Sequence, residues 1–207
     1  MNVRGTRNGF VPASRREVFS QLRPVATPAP TASPKTRWRG VEKDDIELPY
    51  QRGDYLAWKR GRLHDKWFQE NNLIFDEDDL RIARSQHPFG IHFGEWFTAI
   101  HYAGEGYNVL VEKYTCGVRS GIHRRKREFI SEILGDDALK TLRKWKKRHR
   151  CQPPDLFVFK CKEYFFVEVK KDRDSVRACQ TAFIKEIERT FHCGVVIADL
   201  QLPGHYR

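Results

Sequence analysis

The chain has no apolar run approaching the roughly 20 residues that a membrane-spanning helix requires. The start, residues 1 to 21, has no apolar core of the kind a secretory signal needs. Its five cysteines, Cys116, Cys151, Cys161, Cys179 and Cys193, are odd in number and form no CxxC. That argues against a disulfide framework and for reduced thiols in an intracellular protein. Their spacing with His149 and His192 matches no familiar zinc pattern. Acid is scarce relative to base: 38 Lys and Arg face 27 Asp and Glu, a formal net charge of +11. Such an excess favours an anionic partner, nucleic acid before others. At 207 residues the chain can hold one sizeable core and a tail, whereas two full domains would be cramped.

Residues 1 to 40 carry eight Arg or Lys, one acid (Glu17) and five prolines among Ala, Thr and Ser. This composition cannot bury enough apolar surface to order itself. It reads as a basic arm that touches phosphates, as an Arg-rich organelle transit segment, or as a dispensable or misannotated start. Residues 41 to 92 read as an accessory helical segment. Tyr55, Leu56, Trp58, Leu63 and Trp67 suit one amphipathic helix over 54–69, and Asp78 or Asp79 is placed to cap another.

From Phe93 the pattern is regular. Phe93, Trp96, Phe97 and Ile100 make a helical stripe with Glu95 beside it, and Gly104-Glu105-Gly106 ends it. Tyr107 to Tyr114 reads as a strand. Residues 119–150 read as two basic helices broken at Leu134 to Asp137. Runs 155–160 and 164–170 are short and apolar, joined by a tight turn, and predict an antiparallel hairpin. A helix to His192, capped by Asp174 or Ser175, and a strand 195–200 follow.

Asp155 opens the first run of the hairpin, while Glu168 and Lys170 end the second. Residues two apart on a strand share a face, so Glu168 and Lys170 point one way and Val169 the other. An acid and a base at the end of an apolar strand cost stability unless well paired or functional. Two carboxylates converging from neighbouring strands form a hard oxygen site suited to Mg²⁺ or Mn²⁺. A lysine beside it can polarise an attacking water or stabilise developing negative charge. A plain solvated Glu-x-Lys pair is the competing reading.

The ordered set Glu95, Pro154-Asp155, Glu168-Val169-Lys170, a polar turn at 171–174 and Gln180 resembles the PD-(D/E)xK nuclease superfamily over about residues 93 to 200, most closely its VRR-type nuclease domains. The resemblance implies an α/β, restriction-endonuclease-like core: helix, mixed central sheet, helix, with a basic helical-hairpin insertion. It implies Mg²⁺ or Mn²⁺ held by Asp155, Glu168, the Val169 carbonyl and Glu95, with Lys170 orienting water and Gln180 positioning Lys170 or the phosphate. The long basic insertion and Ile184, where some members carry tyrosine, depart from the pattern. The function expected is metal-dependent hydrolysis of DNA, structure-directed because no base-reading motif stands out. Relatives also allow a homodimer. Arg124, Arg125, Lys144, Lys147 and Arg148 in the insertion are candidates for phosphate contact. Cleavage of RNA, and a non-catalytic nucleic-acid-binding module on the same fold, are the alternatives.

Overall fold

A computed structural model describes residues 37–115, 121–172 and 174–203. The tail up to residue 36, Cys116 and residues 119–120 of the expected insertion lie outside them. In chain order the elements are β1 (Arg39–Gly40), β2 (Ile46–Pro49), α1 (Arg52–Lys59), α2 (Arg62–Glu70), α3 (Glu77–Gln86), a 3-10 turn (His87–Phe89) and α4 (Phe93–Gly104). Then come β3 (Asn108–Val111), α5 (Arg124–Leu134), α6 (Ala138–His149), β4 (Leu156–Lys160), β5 (Glu163–Lys171), α7 (Ala178–Phe191) and β6 (Val195–Gln201).

This is an α/β architecture on a mixed sheet ordered β2-β6-β5-β4-β3, with β1 paired to β5. The pairs β3–β4 and β4–β5 are antiparallel, whereas β5–β6, β2–β6 and β1–β5 are parallel. Strands β4 and β5 are apolar on both faces because both faces are covered. Val109, Val111, Leu156, Val158, Phe165 and Val167 pack with Phe93, Trp96, Trp58 and Trp67 on one side. Leu110, Phe157, Phe159 and Phe166 pack with Ile130, Leu142, Trp145 and Phe183 on the other. Residues 41 to 92 supply three helices to the first of these layers and β2 to the sheet edge. Short strands β1 and β2 lie amid charge and proline and left no periodic signal.

Three local expectations are corrected. The helix expected over 54–69 is two, because Gly61 adopts φ 72° and a Cβ there would lie 2.8 Å from the His87 ring. Asp76 caps α3 rather than Asp78 or Asp79: its carboxylate accepts the Asp79 N–H at 3.0 Å, and Asp79 returns the bond at 3.2 Å. Helix α7 starts after Arg177, not at Asp174 or Ser175, because the Gln180 side chain accepts the Arg177 N–H at 3.0 Å. The hairpin loop is two residues, Cys161 and Lys162, both at positive φ, as a type I′ turn requires.

No helix among the described residues is long and apolar enough to cross a membrane.

Candidate active site

Strand register builds the site. Val111 pairs with Leu156 and Leu156 with Val167, so the next residues outward, Glu112, Asp155 and Glu168, fall in one row across three strand ends. The Glu112 N–H donates to the Asp155 carbonyl at 2.8 Å, which continues that register past the strand. The buried Tyr114 hydroxyl donates to the Pro154 carbonyl and fixes the turn into β4. Asp155 Oδ2 accepts the Val169 N–H at 2.9 Å, tying the two strands together at the acid itself.

Helix α4 supplies the opposite wall. Gly94 lets it approach β5 closely, since a Cβ there would sit 3.1 Å from Val169 Cγ1. The approach brings Glu95 to the row, where its charge bears on both Asp155 and Glu168. His92 precedes the helix at φ 58°, and Glu112 directly follows β3 at φ 42°. Such non-glycine conformations cost about 1–3 kcal/mol each and persist where surroundings impose them. Here they bring His92 Nδ1 within 2.8 Å of Glu95 and 2.5 Å of Glu112. Gln86 Oε1 accepts from Trp96 Nε1 at 2.9 Å, which turns its amide nitrogen to Glu112 at 3.4 Å. One nitrogen and two carboxylates of His92, Glu95 and Glu112 thus lie within 4.8 Å of one another.

The third wall is α7. Lys170 Nζ donates to Glu168 Oε1 at 2.7 Å and to Gln180 Oε1 at 3.0 Å, and Gln180 Nε2 donates to the same Glu168 oxygen. Glu168, Lys170 and Gln180 are all buried, so these bonds are made with little competing water. Gln180 serves twice, as the reciprocal cap of α7 and as the link between Lys170 and Glu168.

The electrostatics are those of an anionic concentration. Loss of solvent around its carboxyl pushes Asp155 well above the usual carboxylate range, and Glu168 and Glu95 push it further. Burial also raises Glu168, against the pull of Lys170. Hydrogen bonds that His92 donates to the Glu112 and Glu95 carboxylates raise the imidazole to about 10, so it is a cation at neutral pH.

The structure therefore brings together Glu95, Asp155, Glu168, Lys170 and Gln180. It adds His92 and Glu112, which the sequence reading missed. Glu112 lies just past a strand end at positive φ, where alternation no longer applies, and His92 sits before the helix rather than on its stripe.

The basic candidates divide. Lys144 and Lys147 are exposed on α6. Arg124 pairs with Glu128 at 2.6 Å, and Arg148 pairs with Glu186. Arg125 is not placed as a surface phosphate contact: it donates to the Ile74 carbonyl at 2.5 Å, faces Asp79 at 3.7 Å and lies over the Phe129 ring. Its guanidinium holds the loop before α3 against α5.

No family, no curated protein and no solved structure matches this chain.

Donor chemistry tests whether the site fits a cation. The Val169 N–H engages Asp155 Oδ2, and Lys170 and Gln180 engage Glu168 Oε1, which leaves the second oxygen of each carboxylate for a metal. Hard carboxylate oxygens suit Mg²⁺ or Mn²⁺, and protonated His92 stands beside them as a charge rather than as a ligand. Saturating Mg²⁺ or Mn²⁺ is therefore expected to raise the melting temperature. A cation at one hundred times its Kd adds about 2.7 kcal/mol, or roughly 5–11 °C at this size. Asp155→Asn should melt above the metal-free wild type, since it removes a repelled carboxylate and keeps an acceptor for Val169, and it should gain little from the cation. Calorimetry with and without metal reads both; equal gains in wild type and variant would remove Asp155 from the candidate cation site.

Proposed function

We propose that the protein is a Mg²⁺- or Mn²⁺-dependent nuclease that hydrolyses phosphodiester bonds in DNA, on a restriction-endonuclease-like core of the PD-(D/E)xK type. The observation that carries this reading is the buried Glu168–Lys170–Gln180 network beside Asp155, with Glu95 facing it from α4. A solvated surface Glu-x-Lys pair would show neither the burial nor the glutamine bridge.

Asp155, Glu168, Glu95 and the Val169 carbonyl are the groups that would hold the metal, with Glu112 and His92 beside them. A cation held there would polarise the phosphate and lower the pKa of its water. Lys170 does the remaining positioning. Its ammonium has three N–H bonds, and two are engaged by Glu168 and Gln180. The third is available for the attacking water or a phosphate oxygen, where positive charge stabilises the developing dianion. Gln180 and Glu168 fix where that proton points. His92 adds a second cation at the opposite wall and partly offsets the repulsion between Glu95 and Glu112.

Lys144 and Lys147 on the exposed face of α6 would meet phosphates away from the reacting bond. Contacts of this kind position the strand without reading its sequence.

The test is cleavage of labelled linear, flapped and four-way DNA in Mg²⁺ or Mn²⁺ by wild type and Asp155→Asn. Wild-type cleavage that disappears in the variant, with DNA binding kept, is the expected result. Binding of these DNAs and of RNA without cleavage by the wild type would instead make the protein a nucleic-acid-binding module.

A further inference from the structure

The segment between α3 and α4 shows large apolar side chains to solvent at the rim of the candidate active site. Phe89 is 74 % exposed and Ile91 48 %. The segment is nonetheless firmly held. Pro88 lies within its 3-10 turn, and the Gly90 N–H closes that turn on the His87 carbonyl at 2.9 Å. Gly90 takes φ 69° directly over the Tyr55 hydroxyl, where a Cβ would come within 2.5 Å. Trp58 Nε1 donates to the Ile91 carbonyl at 3.2 Å, and the His87 ring stacks on His64 with centroids 4.5 Å apart.

One end of this platform reaches the site. His92, the next residue, carries the bonds to Glu95 and Glu112. At the other end Tyr55, which supports Gly90, lies under the Lys171 ammonium at 4.8 Å, on the face of β5 opposite Lys170. Phe89 is therefore an exposed aromatic ring on a rigid mount, three residues before His92 of the candidate site.

We propose that Phe89, flanked by Ile91, is a stacking platform for an unpaired nucleobase next to the phosphodiester in the site. The substrate is then a strand with unpaired nucleotides, such as a flap, gap or frayed end, in preference to continuous duplex. This inference rests on the nuclease reading and specifies its substrate. Size decides for a base over a protein partner. A stable protein interface buries well over about 1,000 Å², whereas one ring and one isoleucine match the face of a single base. Base stacking on an aromatic residue needs no sequence, because every base has a π-face. In continuous duplex the bases are already stacked on one another and gain nothing from Phe89.

The test uses the full chain in Ca²⁺ and a flapped DNA carrying 5-iodouracil at the unpaired nucleotide beside the junction. Irradiation should cross-link the base to the peptide holding Phe89. Phe89→Ala should lose the cross-link and weaken flap binding by roughly ten- to one hundred-fold, with blunt duplex binding changed less than about two-fold. Phe89→Trp should restore both, since any flat ring serves. Unchanged melting temperatures would show that the fold is intact, as expected for a side chain this exposed. Equal losses on flap and duplex, a cross-link elsewhere, or a change of oligomeric state in Phe89→Ala would overturn the proposal. Cleavage in Mg²⁺ without dependence on Phe89 would sink the platform and leave the nuclease reading standing. A Phe89-dependent cross-link without cleavage would do the reverse.

Discussion

Replacing Lys170 by alanine is expected to reduce DNA cleavage by about 10²–10³-fold, the cost of removing one preorganised donor from a developing oxyanion. Binding should survive, because the Asp155 oxygens and the exposed Lys144 and Lys147 are untouched. The loss should not spread through the fold either: Gln180 Nε2 still donates to Glu168 when the ammonium is gone. Lys170→Arg should rescue little. Lys170 is only 8 % exposed, and its single nitrogen bridges Glu168 and Gln180 at 2.7 and 3.0 Å, where a planar guanidinium has neither the room nor the geometry. Single-turnover cleavage at saturating protein, paired with DNA binding in Ca²⁺, separates the two effects. Unchanged single-turnover rates in Lys170→Ala would leave the Glu168–Lys170–Gln180 network a structural cap on α7.

That network shows why part of the site could be read in advance. Glu168 and Lys170 sit on one strand, where alternation alone puts them on one face, and the hairpin brings Asp155 alongside through a two-residue loop. The elements from α4 to β6 were legible for the same reason: long periodic stripes and apolar runs bounded by Gly and Pro. What was not legible depends on contacts remote in sequence. Glu112 joins the acids because β3 pairs with β4 across the whole of α5 and α6, and His92 faces it through a left-handed backbone that no periodicity encodes. Gln180 was readable only through family likeness, since its helix gives no hint that its side chain turns back to cap the N-terminus and meet Lys170. Arg125 was misjudged as a surface cation because Asp79, its neighbour in space, is 46 residues away in the chain.

Lys126 carries the largest expected effect on stability. It stands in the middle of the basic run at the start of α5 and reads from sequence as one more surface cation, yet it is wholly buried. Its ammonium lies 2.5 Å from the equally buried Asp79 and also donates to the Val111 and Glu112 carbonyls. Burial first, and the Asp76 charge after it, drive the Asp79 carboxyl upward, and Lys126 is the main force opposing them. Lys126→Met keeps the volume and removes the charge, so buried Asp79 is left with only the more distant Arg125 guanidinium at 3.7 Å. The expected cost is about 3–5 kcal/mol, or a fall in melting temperature of roughly 6–20 °C. Adding Asp79→Asn should recover much of it, because asparagine keeps an acceptor for the Asp76 N–H at the cap of α3 and brings no charge to bury. A double-mutant cycle by chemical denaturation measures the coupling; additive losses would mean that the pair contributes nothing as a pair. The double variant should still cleave poorly. Lys126 anchors the carbonyls at the end of β3, and without it Glu112 loses the hold that keeps its side chain on His92 and its N–H on the Asp155 carbonyl. A variant that folds as well as wild type but cleaves less would place Lys126 as a positioning residue for the site, reached through the backbone of the strand end.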